Sequence, residues 1–138
     1  MIIDASNLVL GRLASYAAKK ALLGEKIEIV NCEQAYITGT KANIMEKYKA
    51  KRDRGDPFHG PYFPRQSERI VKRTIRGMLP YRQEKGLNAF KRVMCYTGVP
   101  DHLQKVKHET VKGANIDKMS NLKRMTIGEI AKLLGGRL

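Results

Sequence analysis

Tryptophan is absent from this 138-residue chain, cysteine occurs only twice, phenylalanine only three times, and 13 acidic side chains face 27 basic ones. Each shortage excludes something. Cys32 and Cys95 are too few for a disulfide framework, and neither stands near a histidine at zinc-ligand spacing. The fold is therefore expected to need no metal or disulfide, and a reducing cytoplasmic compartment is expected. No run approaches the ~18 apolar residues of a membrane span. The opening Met1-Ile2-Ile3-Asp4 has no basic stretch leading into an apolar one, so neither secretion nor insertion is expected. The glycine-rich lysine loop of NTPases is missing, as is any Gly-x-Gly-x-x-Gly after a strand, which argues against a mononucleotide pocket or bound cofactor.

What the chain has in excess is positive charge. The formal net charge is +14, well beyond what solubility asks of a small domain. The excess is concentrated: residues 41–92 hold 15 basic and 5 acidic side chains, a net +10 of that total. A polyanionic partner, nucleic acid above all, is the natural reason, because neutralising phosphates releases condensed counterions. At this length one domain, residues 1–138, is expected, able to bury roughly 68% of its unfolded surface.

The clearest element is 67–78. Arg69, Lys72, Arg73 and Arg76 recur at i, i+3, i+4 and i+7, with Val71, Thr74, Ile75 and Met78 half a turn away. Such spacing predicts a helix with an apolar face for a core and a cationic face for a polyanion. Leu79-Pro80 then ends it.

Around that helix the pattern alternates. Ile2-Ile3 predicts a short buried strand, Ser6-Asn7 a cap, and Leu10, Leu13, Ala14, Ala17 and Ala21 one face of a helix closed by Gly24. Ile27–Val30 is β-branched, completing a βαβ unit with parallel pairing expected. Ala35–Thr38 predicts another short strand before a helix with Ile44, Met45 and Tyr48 on one face. Three prolines and two glycines make 55–64 an extended loop. Leu87, Phe90 and Met94 predict a short helix face, and Met94–Tyr96 a final strand. Residues 101–125 are polar and weakly periodic. Thr126 and Glu129 spell a capping box for a C-terminal helix over 126–134.

Candidate contact residues follow from charge and position. They are Arg12 on the first helix; Lys41, Lys47, Lys49, Lys51, Arg52 and Arg54 on and after the helix predicted to follow Ala35–Thr38; His59 and Arg65 in and just after the proline-rich loop; and Arg69, Lys72, Arg73 and Arg76 on the basic helix. Tyr81, Arg82, Lys85, Lys91 and Arg92 complete the set. Phe58, Tyr62 and Phe63 suit either the protein's own core, the reading favoured from sequence, or stacking on unpaired bases beside arginines. A backbone anion site at Gly39-Thr40-Lys41 suits an RNA phosphate. The competing class is an α/β enzyme acting on RNA or nucleotides, with Asp4, Glu33 or His59 as its chemistry; no nucleophile, base and orienter converge in the text, and no metal ligand set is spelled. A third reading is a free regulatory RNA-binding module.

Several segments together resemble a known family. Gly11-Arg12-Leu13-Ala14-Ser15, Val30-Asn31-Cys32-Glu33, Ile37-Thr38-Gly39, Ile75-Arg76-Gly77-Met78-Leu79-Pro80-Tyr81, Gly86 and Tyr96-Thr97-Gly98-Val99-Pro100 are similar to the universal large-subunit ribosomal protein L13 family, in its archaeal form. The resemblance implies a three-layer α/β/α domain around a small, mainly parallel sheet. It also implies a structural, non-enzymatic role in the large ribosomal subunit: binding large-subunit ribosomal RNA beside neighbouring ribosomal proteins and supporting early assembly.

Overall fold

The computed structural model describes residues 1–136. Five strands and five α-helices form in the order β1 (Ile2–Asp4), α1 (Leu10–Leu22), β2 (Ile27–Val30), β3 (Tyr36–Thr38), α2 (Lys41–Asp53), α3 (Ser67–Gly77), α4 (Glu84–Lys91), β4 (Val93–Cys95), β5 (Arg124–Thr126) and α5 (Ile127–Leu133). The class is α/β. β1, β2 and β4 make a parallel sheet with β2 in the middle, while β3 and β5 pair antiparallel in a separate ribbon.

Register decides which side chains meet. Ile3 lies opposite Ile29, and Ile29 opposite Cys95, so one row crosses the whole sheet. That row, with Ile27 and Val93, joins the main core, and the alanines of α1 allow the helix to lie close on it. The alternate residues Ile2 and Val30 face the other way and pack with Leu103, from a 3-10 turn at Asp101–Leu103, and with Tyr96 and Val99. The period of two along a strand thus sends the same short sequence to two separate apolar clusters.

Two family segments are tied together at the end of the sheet. The Asn31 and Cys32 amides donate to the Gly98 and Tyr96 carbonyls at 3.0 and 3.2 Å, and the Gly98 amide donates to Glu33 Oε2 at 3.1 Å. Thr97 in turn donates from its hydroxyl to Glu68 of α3 at 2.9 Å. Both cysteines are free and buried. A hydrogen bond with Cys95, then burial, push the Cys32 thiol well up, so it stays neutral.

Some expectations need correction. Ser6-Asn7 do not cap α1, whose N-cap is Val9 without a side-chain bond; the Ser6 hydroxyl is spent on Asp4 at 2.7 Å and Gln34 at 3.0 Å. On α3, Ser67, Ile70, Val71 and Ile75 are buried, whereas Met78 is 41% exposed because the helix has already ended at Gly77. On α4 the buried residues are Gly86 and Ala89, leaving Leu87 exposed. Met94 belongs to β4, on its exposed side. β4 is not the last strand either: β5 follows, held to β3 by partners too distant in sequence for its short polar text to reveal. Within 101–125, Leu103, Ala114, Ile116 and Met125 are buried.

Candidate nucleic-acid interface

α2, the 54–66 loop and α3 carry most of the candidate residues. α3 buries four residues and presents Arg69 fully, with Lys72, Arg73 and Arg76 half-buried. The reason for that half-burial is aromatic. The Arg73 guanidinium lies 5.0 Å from the Phe63 centroid, Lys72 Nζ lies 5.2 Å from that of Phe90, and Arg76 lies 5.1 Å from that of Tyr81. From α2, Lys51 Nζ sits 5.0 Å from the Tyr48 centroid and 5.5 Å from that of Phe63. The face of each ring attracts a cation, by roughly 0.5–1 kcal/mol at exposed sites. Phe63 is therefore within reach of the ammonium of one helix and the guanidinium of the next, and it packs edge-to-face with Tyr48, the centroids 5.9 Å apart.

This stacking aims the cations without neutralising them. Of the Lys and Arg in 41–92, Arg52 is the one with a carboxylate partner among the described residues, its Nε donating to Asp53 Oδ1 at 2.7 Å. Crowding is visible in Lys51. Burial first, then the charges of Lys47, Arg73 and Arg54, hold its pKa below the usual lysine value. A surface where like charges oppose one another's protonation gains most from an incoming anion.

Two grooves open here. One of about 310 Å³ runs between α2 and α3 over Lys51, Phe63, Arg73, Arg76 and Tyr81. A larger one, about 760 Å³, lies between the end of α2 and the loop, edged by Arg52, Arg54, Arg65 and Arg69 with Tyr62 and Phe63. Lys41, Lys47 and Lys49 are exposed along α2, as are Arg82 and Lys85 around the turn and start of α4, and Lys91 at its end.

Other candidates stand apart. Arg12 is exposed on α1 and donates to the Gly113 carbonyl at 3.0 Å. Arg92 donates to the Ala21 carbonyl at 3.3 Å, a second donor to an acceptor that already takes the Gly24 amide at 3.1 Å, and so ties the end of α4 to the end of α1. His59 is exposed and has Asp56 3.5 Å away. Phe58 and Tyr62 correct the expectation of core burial: they are 88% and 68% exposed, and of the three loop aromatics only Phe63 packs inward. Tyr48 and Phe63 were missed as supports of the cationic surface. The signal was present as Tyr48 and Lys51 three residues apart on one helix.

The acids of the enzymatic alternative are both occupied as braces. Asp4 accepts from the Ser6 amide (2.9 Å), the Ser6 hydroxyl (2.7 Å) and Asn31 Nδ2 (3.1 Å), while Glu33 holds the Gly98 amide.

A small parallel sheet carrying α3, with α5 and β5 holding α2 and an arginine-flanked loop between the two basic helices, defines a class: compact α/β proteins with one strongly cationic face. Comparison with known proteins sharpens this. Residues 1–102 match the family described as Ribosomal protein L13, and the chain belongs to that family. It is 47% identical to the large ribosomal subunit protein uL13 of Archaeoglobus fulgidus, over 99% of this chain and 88% of the relative. It is 44% identical to that of Methanococcoides burtonii, over 99% and 98%, and 43% identical to that of Natronomonas pharaonis, over 100% and 92%. These relatives are named as ribosomal proteins and not as enzymes, and the chain takes its place with them.

Proposed function

We propose that this chain is a structural constituent of the large ribosomal subunit that binds large-subunit ribosomal RNA and supports early assembly of the subunit in the cytoplasm. The whole chain, 1–138, acts as one domain, with 41–92 as its RNA-contacting region and neighbouring ribosomal proteins around it. The observation that carries this reading is the set of cations on α2, α3 and the intervening loop, aimed by aromatic rings and, apart from Arg52, without carboxylate partners among the described residues. Mechanistically, α5 packs against both α2 and α3 while α1 and β4 hold α3 on the core, so the two helices keep fixed relative positions, and phosphates from separate RNA segments replace the missing counter-charges. RNA strands that repel one another are thereby held at a set distance.

Sedimentation of native lysate tests this directly. The protein should travel with large subunits and appear in their earliest precursors. Recovery only in free fractions would refute it.

A further inference from the structure

We infer that the loop after α2 is a nucleobase-stacking wedge, with Phe58 at its tip stacking on an unpaired base of the RNA; this rests on the RNA-binding reading above and names the kind of RNA the loop takes. Phe58 is 88% exposed, an unfavourable state for a phenylalanine unless something covers it. The exposure is built in. Asp56 and Gly60 exchange backbone hydrogen bonds at 3.2 and 2.8 Å, closing the tip, and the Phe58 amide donates to Asp56 Oδ1 at 3.0 Å. Tyr62 donates from its hydroxyl to the Pro57 carbonyl at 2.8 Å, bracing the base of the turn. Gly55 makes the closure possible, since a Cβ there would fall 2.1 Å from the Gly60 oxygen. Phe58 is thus held outward by a loop closed by its own hydrogen bonds.

Charge decides what the ring meets. The groove beneath the loop, about 760 Å³, is within the roughly 300–1,000 Å³ of small-ligand clefts and is edged by Arg52, Arg54, Arg65 and Arg69. Asp53 and Asp56 also line it, leaving the arginines in excess. An aromatic tip directly after Asp56 and Pro57, which line this arginine-edged groove, matches a nucleotide whose base is free to stack while its phosphates lie on the arginines. Paired bases within a helix offer no such face.

The chain has no tryptophan, so Phe58→Trp introduces a single tryptophan at the tip, excited selectively over the tyrosines. Leu122→Trp, at another exposed position, serves as the control. Each variant is titrated with an oligouridylate of about 12 nucleotides and with a duplex of the same length, binding being followed by anisotropy of labelled RNA. Quenching at position 58 by the single strand, little by the duplex at equal saturation, and little at position 122 with either, is the expected result. Phe58→Ala should also weaken binding of the single strand roughly 5- to 150-fold with an unchanged salt slope. RNA that binds without altering emission at position 58 overturns the wedge and leaves the cationic surface standing, as it would if the loop served a neighbouring protein. Equal quenching by both RNAs overturns it too. Absence of any RNA binding removes both readings.

Discussion

Gly86 of α4 lies so close to the Pro80 carbonyl that a Cβ at that position would stand 2.1 Å from its oxygen and 2.9 Å from the Tyr81 nitrogen. The helix packs directly on the turn that ends α3. That turn places the Tyr81 ring under Arg76, so a glycine nine residues beyond α3 helps to set a cation on the RNA-facing surface. The spacing of Pro80, Tyr81 and Gly86 in the family pattern acquires a steric reason.

Gly86→Ala should therefore destabilise the fold by at least about 1–3 kcal/mol, the usual cost of overpacking. Thermal unfolding measures this. A melting temperature equal to that of the parent would show that the turn can retreat freely.

Much of this arrangement was legible in the text, and the rest was not, for physical reasons. α1 was readable because its alanines and leucines repeat over 13 residues, and α5 because Thr126 and Glu129 cap each other's amides at 3.2 and 3.0 Å. β5 was not readable: three residues, Arg124–Thr126, contain one buried side chain and owe their form to pairing with β3 far upstream. Phe58 and Tyr62 illustrate the limit for the site. Their composition suits a core as well as a ligand surface, and the choice is made by loop closure through Gly55 and Gly60, which periodicity does not encode. The cationic face of α3 was readable from its spacing, but the rings beneath it come from three other segments, at Phe63, Tyr81 and Phe90.

Stability should depend on acid through Asp4. Burial alone would raise its pKa, but hydrogen bonds from the Ser6 amide, Asn31 and the Ser6 hydroxyl outweigh this and lower it below the ordinary 3.8. A carboxyl depressed in the folded state contributes stability above its unfolded pKa and loses it as pH falls through the folded value. Unfolding free energy should thus decline below about pH 4, and Asp4→Asn should be less stable at neutral pH with a shallower decline in acid. Denaturant titrations of both proteins at several pH values test this; parallel pH profiles would exclude Asp4 as a contributor.

Thr126→Ala removes one half of the capping box and should cost about 0.5–2 kcal/mol. Thr126 also pairs with Tyr36 across the small ribbon, so amide exchange in both β3 and the first turn of α5 should quicken. RNA affinity of the folded protein should change little. A folded variant with a large binding defect would mean that the C-terminal helix belongs to the interface.

The two faces of α3 should separate binding from folding, though less cleanly than charge alone suggests. Arg69 is exposed and touches no aromatic ring among the described contacts, so Arg69→Gln should leave melting unchanged while weakening RNA binding and making the slope of log affinity against log salt shallower, by roughly 0.7–0.9 if one phosphate contact is lost. Arg73 differs, because it lies over Phe63 and donates to the Tyr62 carbonyl at 3.1 Å. Arg73→Gln should lower both RNA affinity and the melting temperature, the latter modestly. Ile75, fully buried on the opposite face, should cost about 2–5 kcal/mol when cut to alanine and affect RNA only through the unfolded fraction. Melting and salt-dependent binding measured for all three variants give each a distinct signature. Binding that survives Arg69→Gln and Arg73→Gln with its salt slope intact, but fails in a folded Ile75→Ala protein, would place the RNA on the wrong side of this helix.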